Sequence, residues 1–325
     1  MKMKTSECIK QYLFKNQQAS GRELADYLGI TDRAVRKQLA SLLLEKQITK
    51  KGRPPKVFYQ LIPAIIPLTS HNLNPKQIEI IDTNYLIITP GGERIEGVKG
   101  FAYWCAKTNQ PLSKTAKDYV SALAKYQRYR RHGLISGMSK LKHTFGRVYL
   151  DELYYLDFYS LERFGKTRLG QLLLYAKQSQ DKKLISELIG GIKKQIKAVI
   201  IKHRITSVGF IPPTVKRQVQ LMKELEKKLH LNLRTISLTK IKTTVIVPQK
   251  TLSKLADRIE NARQTIIVEE KNQHNNLLLI DDAVGSGATL NETAAQIRAK
   301  KLVKGKIIGL AITGSFKGFE VISEV

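Results

Sequence analysis

Two adjacent carboxylates, Asp281 and Asp282, follow a four-residue apolar run at 277–280 and precede Gly285-Ser286-Gly287-Ala288-Thr289. Carboxylates so placed accept hydrogen bonds from nearby hydroxyls. The small residues behind them let backbone amides approach an anion closely. A helix expected from about Leu290 adds free N–H groups and a dipole that favours phosphate. A sugar phosphate supplies both partners, hydroxyls for the acids and an anion for the loop.

Positioning these groups takes a particular scaffold. The run 277–280 is short and uniformly apolar, as a strand buried on both faces should be. From about residue 150 helix and strand patterns alternate. Helices are expected at 172–188, 221–229, 249–262 and 290–299, with strands at 206–211, 233–238, 265–268 and 306–312. That alternation predicts an α/β domain with a mainly parallel sheet and helices on both faces.

The pattern over 277–289 resembles the phosphoribosyl-pyrophosphate (PRPP) loop of type I phosphoribosyltransferases: apolar strand, two acids, two residues, a small-residue turn, Gly287, a small residue and Thr289. The resemblance implies that Asp281 and Asp282 hold the ribose hydroxyls. Gly285, Ser286, Gly287, Ala288 and Thr289 would hold the 5′-phosphate. Mg²⁺ would ride on the pyrophosphate, with no direct protein ligand. The first turn position, usually Thr in that family, is Gly285 here.

Further pieces over about 155–315 resemble the competence protein F (ComF) branch of the family. These are Leu172 through Lys177, Ile211-Pro212-Pro213 through Arg217 and Gln220, and Gln249-x-x-Leu252 with Arg258-x-x-Asn261. The branch's cysteine-rich zinc module is missing, and its Arg-Gly-Phe-Asn-Gln segment stands as Lys216-Arg217-Gln218-Val219-Gln220. Transfer chemistry would ask Lys216, Arg217 and Arg258 to neutralise the departing diphosphate. Neither a base-recognition hood nor a proton-transfer group is assignable. The six histidines, His203 and His274 among them, show no catalytic spacing and are expected at the surface.

The other end of the chain carries a different chemistry. Residues 1–62 read as three short helices: an apolar stripe at Ile9, Tyr12 and Leu13, a capping box of Ser20 and Glu23, and a third helix capped by Thr31. Ala25, Gly29 and Val35 have the spacing of a helix-turn-helix. Two strand-like runs then flank a basic turn. The stretch resembles a winged helix-turn-helix, whose reading helix would present Arg33, Arg36 and Lys37, and whose wing would present Lys50, Lys51, Arg53 and Lys56. A protein-docking winged helix with a solvated charged face is the alternative.

Between the two, residues 63–150 read as a proline-containing linker, a small β-rich region over 77–89 and a basic helix over 114–131. The aromatic run from Phe101 is expected in the core. Tyr126 and Tyr129, interleaved with basic residues, suit either a nucleic-acid contact or a charged surface helix. The phosphoribosyltransferase-like domain would occupy 151–325.

Charge agrees with a polyanionic partner. The 325 residues contain 56 Lys and Arg against 27 Asp and Glu, a net charge of +29, which points to double-stranded DNA or another nucleic acid. Cys8 and Cys105 make neither a disulfide framework nor a zinc site. No signal-peptide core and no run near the roughly 20 apolar residues of a membrane span occur, so a cytoplasmic protein without a membrane partner is the expectation. By analogy with other winged-helix regulators, a homodimer is a partner to consider. Two function classes follow: a DNA-binding regulator that binds PRPP or a related nucleotide, or an active phosphoribosyltransferase targeted to DNA, in DNA uptake or phage defence.

Overall fold

Small polar residues at the right spacings set the first 61 residues into short helices. In the computed structural model, which describes residues 4–45, 47–61, 73–215, 217–241 and 244–316, α1 runs Thr5–Asn16 and β1 is the pair Ala19–Ser20. Ser20 then caps α2, Gly21–Leu28, accepting from the Glu23 amide at 3.2 Å while its own amide donates to Glu23 Oε2 at 2.6 Å. Such a box satisfies two amides that a helix start otherwise leaves open. Gly29 ends α2 at φ +62°, a left-handed conformation that costs glycine little. Thr31 caps α3, Asp32–Leu44, and the chain returns as a hairpin of β2, Ile48–Arg53, and β3, Lys56–Leu61. The antiparallel order is β1-β3-β2. Ile9, Leu13, Leu24, Val35, Leu39 and Ile48 close a core of this unit's own.

The chain divides into two compact units, Met1–Asn72 and Leu73–Val325. Most of the proline-containing linker, 62–72, lies outside the described residues. The rest of the 63–150 segment is not a linker. Residues 77–89, expected to be β-rich, begin instead with α4, Pro75–Asn84, whose start Asn74 and Gln77 close as a second capping box with Pro75 in the first turn. A hairpin of β4, Leu86–Ile88, and β5, Arg94–Glu96, follows. Then come α5, Gly97–Lys107, and α6, Leu112–Gln127. Tyr85, Phe101 and Tyr119 meet with ring centroids 5.1–5.5 Å apart, and all three are buried. They form one apolar cluster with Leu153, Leu277 and Leu290 of the α/β region, so 73–150 shares its core. The boundary expected at 150 therefore falls inside a single unit.

That sharing extends to the main sheet. Strands β6, Arg130–Arg131, and β7, Leu134–Ser136, pair antiparallel along its edge, and α7, Met138–Thr144, leads to β8, Glu152–Phe158. The helix expected over 172–188 is two helices, α8, Arg168–Ser179, and α9, Lys182–Lys202. The break comes where Gln180 turns left-handed and Asp181 caps α9 through the Lys183 and Leu184 amides. Next are β9, Ser207–Phe210, α10, Leu221–Leu229, and β10, Arg234–Thr235. The strand expected over 233–238 ends early. Its last residue opens β11, Leu238–Lys240, which pairs with β12, Ile266–Val268, as a separate antiparallel hairpin with α11, Leu255–Thr265, between them. The strand expected at 265–268 thus lies off the main sheet. The chain finishes with β13, Leu277–Val284, α12, Ala288–Ala299, and β14, Ile307–Gly314.

The main sheet has the order β10-β9-β13-β14-β8-β7-β6, with β10, β9, β13, β14 and β8 parallel. Strand β13 lies at the centre of the five parallel strands, Leu277–Ile280 fully buried. Leu277 and Leu279 point into the core shared with α12, whereas Leu278 and Ile280 point into the core under α8, α9 and α10. Helices cover both faces, and β13 continues past the expected 277–280 to Val284, so Asp281 and Asp282 are carried within a doubly packed strand.

Candidate functional site

Adjacent strands β9 and β13 send their chains to opposite sides. From β9 the chain runs through α10 to the outer strand β10, and from β13 it runs through α12 to β14. Where outgoing connections diverge, the carboxyl ends of parallel strands leave a crevice, the position at which open α/β sheets bind ligands. A cavity of about 260 Å³ lies there. It is lined by Asp281, Asp282, the whole 285–289 loop, Lys177, Lys240, Arg217 and Arg258, with Ile211, Pro212 and Val215 as apolar wall.

The acids are not equivalent. Asp282 Oδ2 accepts from Lys177 Nζ at 2.6 Å, the ammonium arriving from α8. That carboxylate holds the lysine pKa above its ordinary value, against the opposing effect of burial. Asp281 has the harder environment. Burial, and then the neighbouring Asp282 charge, push its pKa up to about 7, although the Asp282 amide, Lys177 and Lys240 all favour its ionised form. Two adjacent carboxyls with one close cation cannot both ionise cheaply. The pair therefore holds an acceptor and a proton side by side. Lys240, at the end of β11, has its own pKa lowered by burial.

The loop turns where glycine permits it. Gly287 sits at φ +91°, and a Cβ there would come within 2.6 Å of Leu141 Cδ1 on α7, so the backbone lies directly on that helix. Ser286 Oγ accepts from the Ala288 amide at 3.3 Å, while α12 starts at Ala288 with no side-chain cap from Gly287. The start of α12 is pinned by Asn291, which accepts from the Tyr149 amide at 2.9 Å and donates to the Arg147 carbonyl at 3.1 Å. A fixed helix N-terminus can accept an anion.

The spacing Gln249-x-x-Leu252 with Arg258-x-x-Asn261 becomes one hydrogen-bonded unit. Arg258 Nε donates to the Leu252 carbonyl at 2.7 Å, and Gln249 Nε2 donates to the Arg258 carbonyl at 2.9 Å and to Asn261 Oδ1 at 3.2 Å. Gln249 lies in a single 3-10 turn, Gln249–Thr251, ahead of α11, where one continuous helix over 249–262 was expected. Arg217 is engaged differently. Its guanidinium donates to the Lys177 carbonyl at the end of α8 and to Gln178 Oε1. Lys216 lies outside the described residues.

The structure thus brings together Asp281, Asp282, Gly285, Ser286, Gly287, Ala288, Thr289, Arg217 and Arg258 around one cavity. It adds Lys177 and Lys240, which sequence reasoning did not assign to the site. Lys177 stood within the quoted 172–177 segment. Lys240 carried no signal, because it is placed by a hairpin whose strands are separated by α11. Of the histidines expected at the surface, His274 is buried, with Nε2 3.6 Å from Glu270 Oε2, and His203 is partly buried with Nε2 3.1 Å from the Tyr154 hydroxyl. Neither lines the cavity.

The basic residues of the first unit lie elsewhere. Arg33, Arg36 and Lys37 are exposed on one face of α3, as their i, i+3, i+4 spacing requires. Lys50, Arg53 and Lys56 are exposed on the hairpin, with Arg53 directly opposite Lys56, and Lys51 is half-buried. Tyr126, weighed above as a stacking residue, is buried edge-on against Phe158, whereas Tyr129 is half exposed.

No family model matches the chain, and no curated protein matches it. Among solved structures it is similar to a hypoxanthine phosphoribosyltransferase from Staphylococcus aureus, at 15% identity and a TM-score of 0.25, over 43% of this chain and 82% of that one. A likeness so slight adds nothing to the geometry above. No helix among the described residues is long and apolar enough to cross a membrane.

Proposed function

We propose that the chain is a DNA-binding regulator whose second unit binds PRPP or a related nucleotide. One observation carries the ligand half: an acid pair and a glycine-turned helix N-terminus line the same cavity at the crevice between β9 and β13. Ribose hydroxyls donate to Asp282 and to the ionised form of Asp281, and the phosphate takes the amides of the 285–289 loop. Mg²⁺ fits as a passenger on a diphosphate and not as a protein-held ion. Asp282 already accepts from the Lys177 ammonium at 2.6 Å, which supports this reading.

The DNA half rests on the first unit. Its order of three helices with a three-stranded antiparallel sheet, and the exposed cations on α3 and the β2–β3 hairpin, support the winged helix-turn-helix reading of about residues 3–62. On that reading α3 enters the major groove and the hairpin contacts phosphates. A regulator is favoured over a transferase because Arg217, the described cation of the 216–220 segment, directs part of its guanidinium to the Lys177 carbonyl of α8, which leaves it less free to meet a departing diphosphate.

The test is fluorescence anisotropy on labelled duplex DNA with and without PRPP and nucleotides. The expected result is a ligand-dependent change in affinity, lost in Asp281→Asn/Asp282→Asn while basal DNA binding remains. DNA affinity unchanged at saturating ligand would remove the regulator reading. Pyrophosphate release from PRPP across a panel of bases would replace it with the transferase.

A further inference from the structure

Arg258 is 4% exposed, yet its Nη2 is buried without a hydrogen-bond partner among the described residues. A buried guanidinium donor left open costs free energy until an acceptor arrives. Burial alone lowers its pKa, with no carboxylate acting in the opposite direction. The group is nonetheless held firmly, by Leu252 through Nε and by Gln249 on its own carbonyl. Gln249 is steadied in turn by Asn261, whose Nδ2 donates to the Val247 carbonyl at 3.3 Å. A charge held in a fixed position at the wall of a cavity can receive an anion.

Its position says which anion. A Cβ on Gly285, the first residue of the phosphate loop, would lie 3.5 Å from Arg258 Nη1. The guanidinium overlies the loop itself, and a threonine at 285 would extend its branched side chain into that space. The side chain that the loop lacks and the cation that covers it are therefore two aspects of one arrangement.

We infer that Arg258 binds the phosphate seated in the 285–289 loop, in place of the hydroxyl that Gly285 does not supply, and that the site recognises ribose 5-phosphate, the part common to nucleoside 5′-monophosphates, and not a diphosphate on C1. This rests on the phosphate-loop reading proposed above. It differs from the expectation that Arg258 neutralises a departing diphosphate. The 211–220 segment agrees with it, since Arg217 is turned onto the Lys177 carbonyl.

Calorimetry on the full chain separates the alternatives, with ribose 5-phosphate, AMP, adenosine and PRPP as probes, each with and without Mg²⁺. Ribose 5-phosphate and AMP should bind without Mg²⁺ and within about tenfold of PRPP, and adenosine roughly a hundredfold or more weaker. Arg258→Gln should lower ribose 5-phosphate affinity by roughly tenfold to a hundredfold, the worth of hydrogen bonds to a charged group. If that variant does not fold, the wild-type panel decides alone. Mg²⁺-dependent PRPP binding with ribose 5-phosphate and AMP more than about a hundredfold weaker would overturn the inference and leave the proposed function standing. Equal affinity of Arg258→Gln and wild type for ribose 5-phosphate would also overturn it. Binding of none of the phosphorylated probes would remove both.

Discussion

Cations are treated in opposite ways by the two units of this chain. In the first, Arg33, Arg36 and Lys37 project from α3 into solvent, and the hairpin adds Lys50, Arg53 and Lys56. In the second, three of the four cavity cations are tied to a chain group: Lys177 to Asp282, Arg217 to a helix-end carbonyl, Arg258 to Leu252. Solvated charges act over a Debye length, tolerate small displacements and lose strength in salt. Buried charges act through geometry, carry a desolvation cost and shift one another's pKa values. The first arrangement suits a long polyanion met in many registers. The second suits one small anion met in one pose.

The largest effect should come from the solvated set. Changing Arg33, Arg36 and Lys37 together to Ala should weaken DNA binding roughly a hundredfold to a thousandfold at low salt. The slope of log affinity against log salt should flatten by about 0.9 for each of the three that neutralises a phosphate. Anisotropy titrations over a salt series measure both, and nucleotide binding measured in parallel should not move. A preserved slope would place the DNA surface elsewhere on the chain.

Next comes the buried pair. Asp282→Asn leaves the Lys177 ammonium without its carboxylate, and the two side chains are 36% and 16% exposed. The loss should fall between that of an exposed pair and that of a fully buried one, at about 2 kcal/mol, seen as a lower denaturant midpoint with an unchanged m-value. Adding Lys177→Met should return part of it, because the uncompensated charge is then gone. If the double variant is no better than the single, Lys177 is not the group that Asp282 neutralises.

Why one unit was easier to read than the other follows from how far apart the cooperating residues lie. Ser20 with Glu23, and Thr31 with Ala34, act over three residues, so the caps of α2 and α3 were visible in the chain. The 281–289 loop was visible for the same reason, since its acids, turn and helix start are contiguous. Lys177 and Asp282 are 105 residues apart, and only the packing of α8 near the end of β13 joins them. At 77–89, Ile78, Ile80 and Ile81 suggested a strand, while Asn74-Pro75 with Gln77 supplied the stronger local instruction for a helix. The segment up to 150 looked like a linker because its pairing partners come later in the sequence, Ile135 opposite Tyr155 being one. Local signals reveal elements, whereas long-range pairing decides which elements share a core.

A smaller effect, and one that only the buried site should show, is a response to pH. Asp281 titrates near pH 7 in the fold, against about 4 in an unfolded chain. Between those values the folded state keeps a proton that the unfolded state has released, so stability falls as pH rises through the window. The loss should be on the order of 1–2 kcal/mol, below the roughly 4 kcal/mol that a lone group with those two values would give, because Lys177 and Lys240 respond to its charge. Ligand hydroxyls donate to the ionised carboxyl, so ribose 5-phosphate affinity should move the other way and rise with pH. Asp281→Asn should flatten both trends, which denaturant midpoints and calorimetry across pH 5 to 8 would record; a persisting trend would assign the proton to another group.

The smallest expected effect concerns an ion pair in the solvated set. Arg36 Nη2 lies 4.0 Å from Asp32 Oδ2 on α3, with side chains 78% and 60% exposed. The pair matches Lys177–Asp282 in chemistry and opposes it in environment. Asp32→Asn should cost only about 0.5 kcal/mol, most of it from losing an acid in the first turn of the helix. On DNA the same change should help. Asp32 places a negative charge beside the face assigned to phosphate and base contact, and it competes for Arg36. Its removal should raise DNA affinity a few-fold at low salt, with the gain fading as salt screens it. A carboxylate whose removal costs about 2 kcal/mol in the cavity and costs almost nothing on α3 while tightening DNA would separate the two modes of cation use within one chain. Weakened DNA binding in Asp32→Asn would instead mean that Asp32 orients Arg36 toward its target, and the face of α3 would then be a built site and no longer a solvated one.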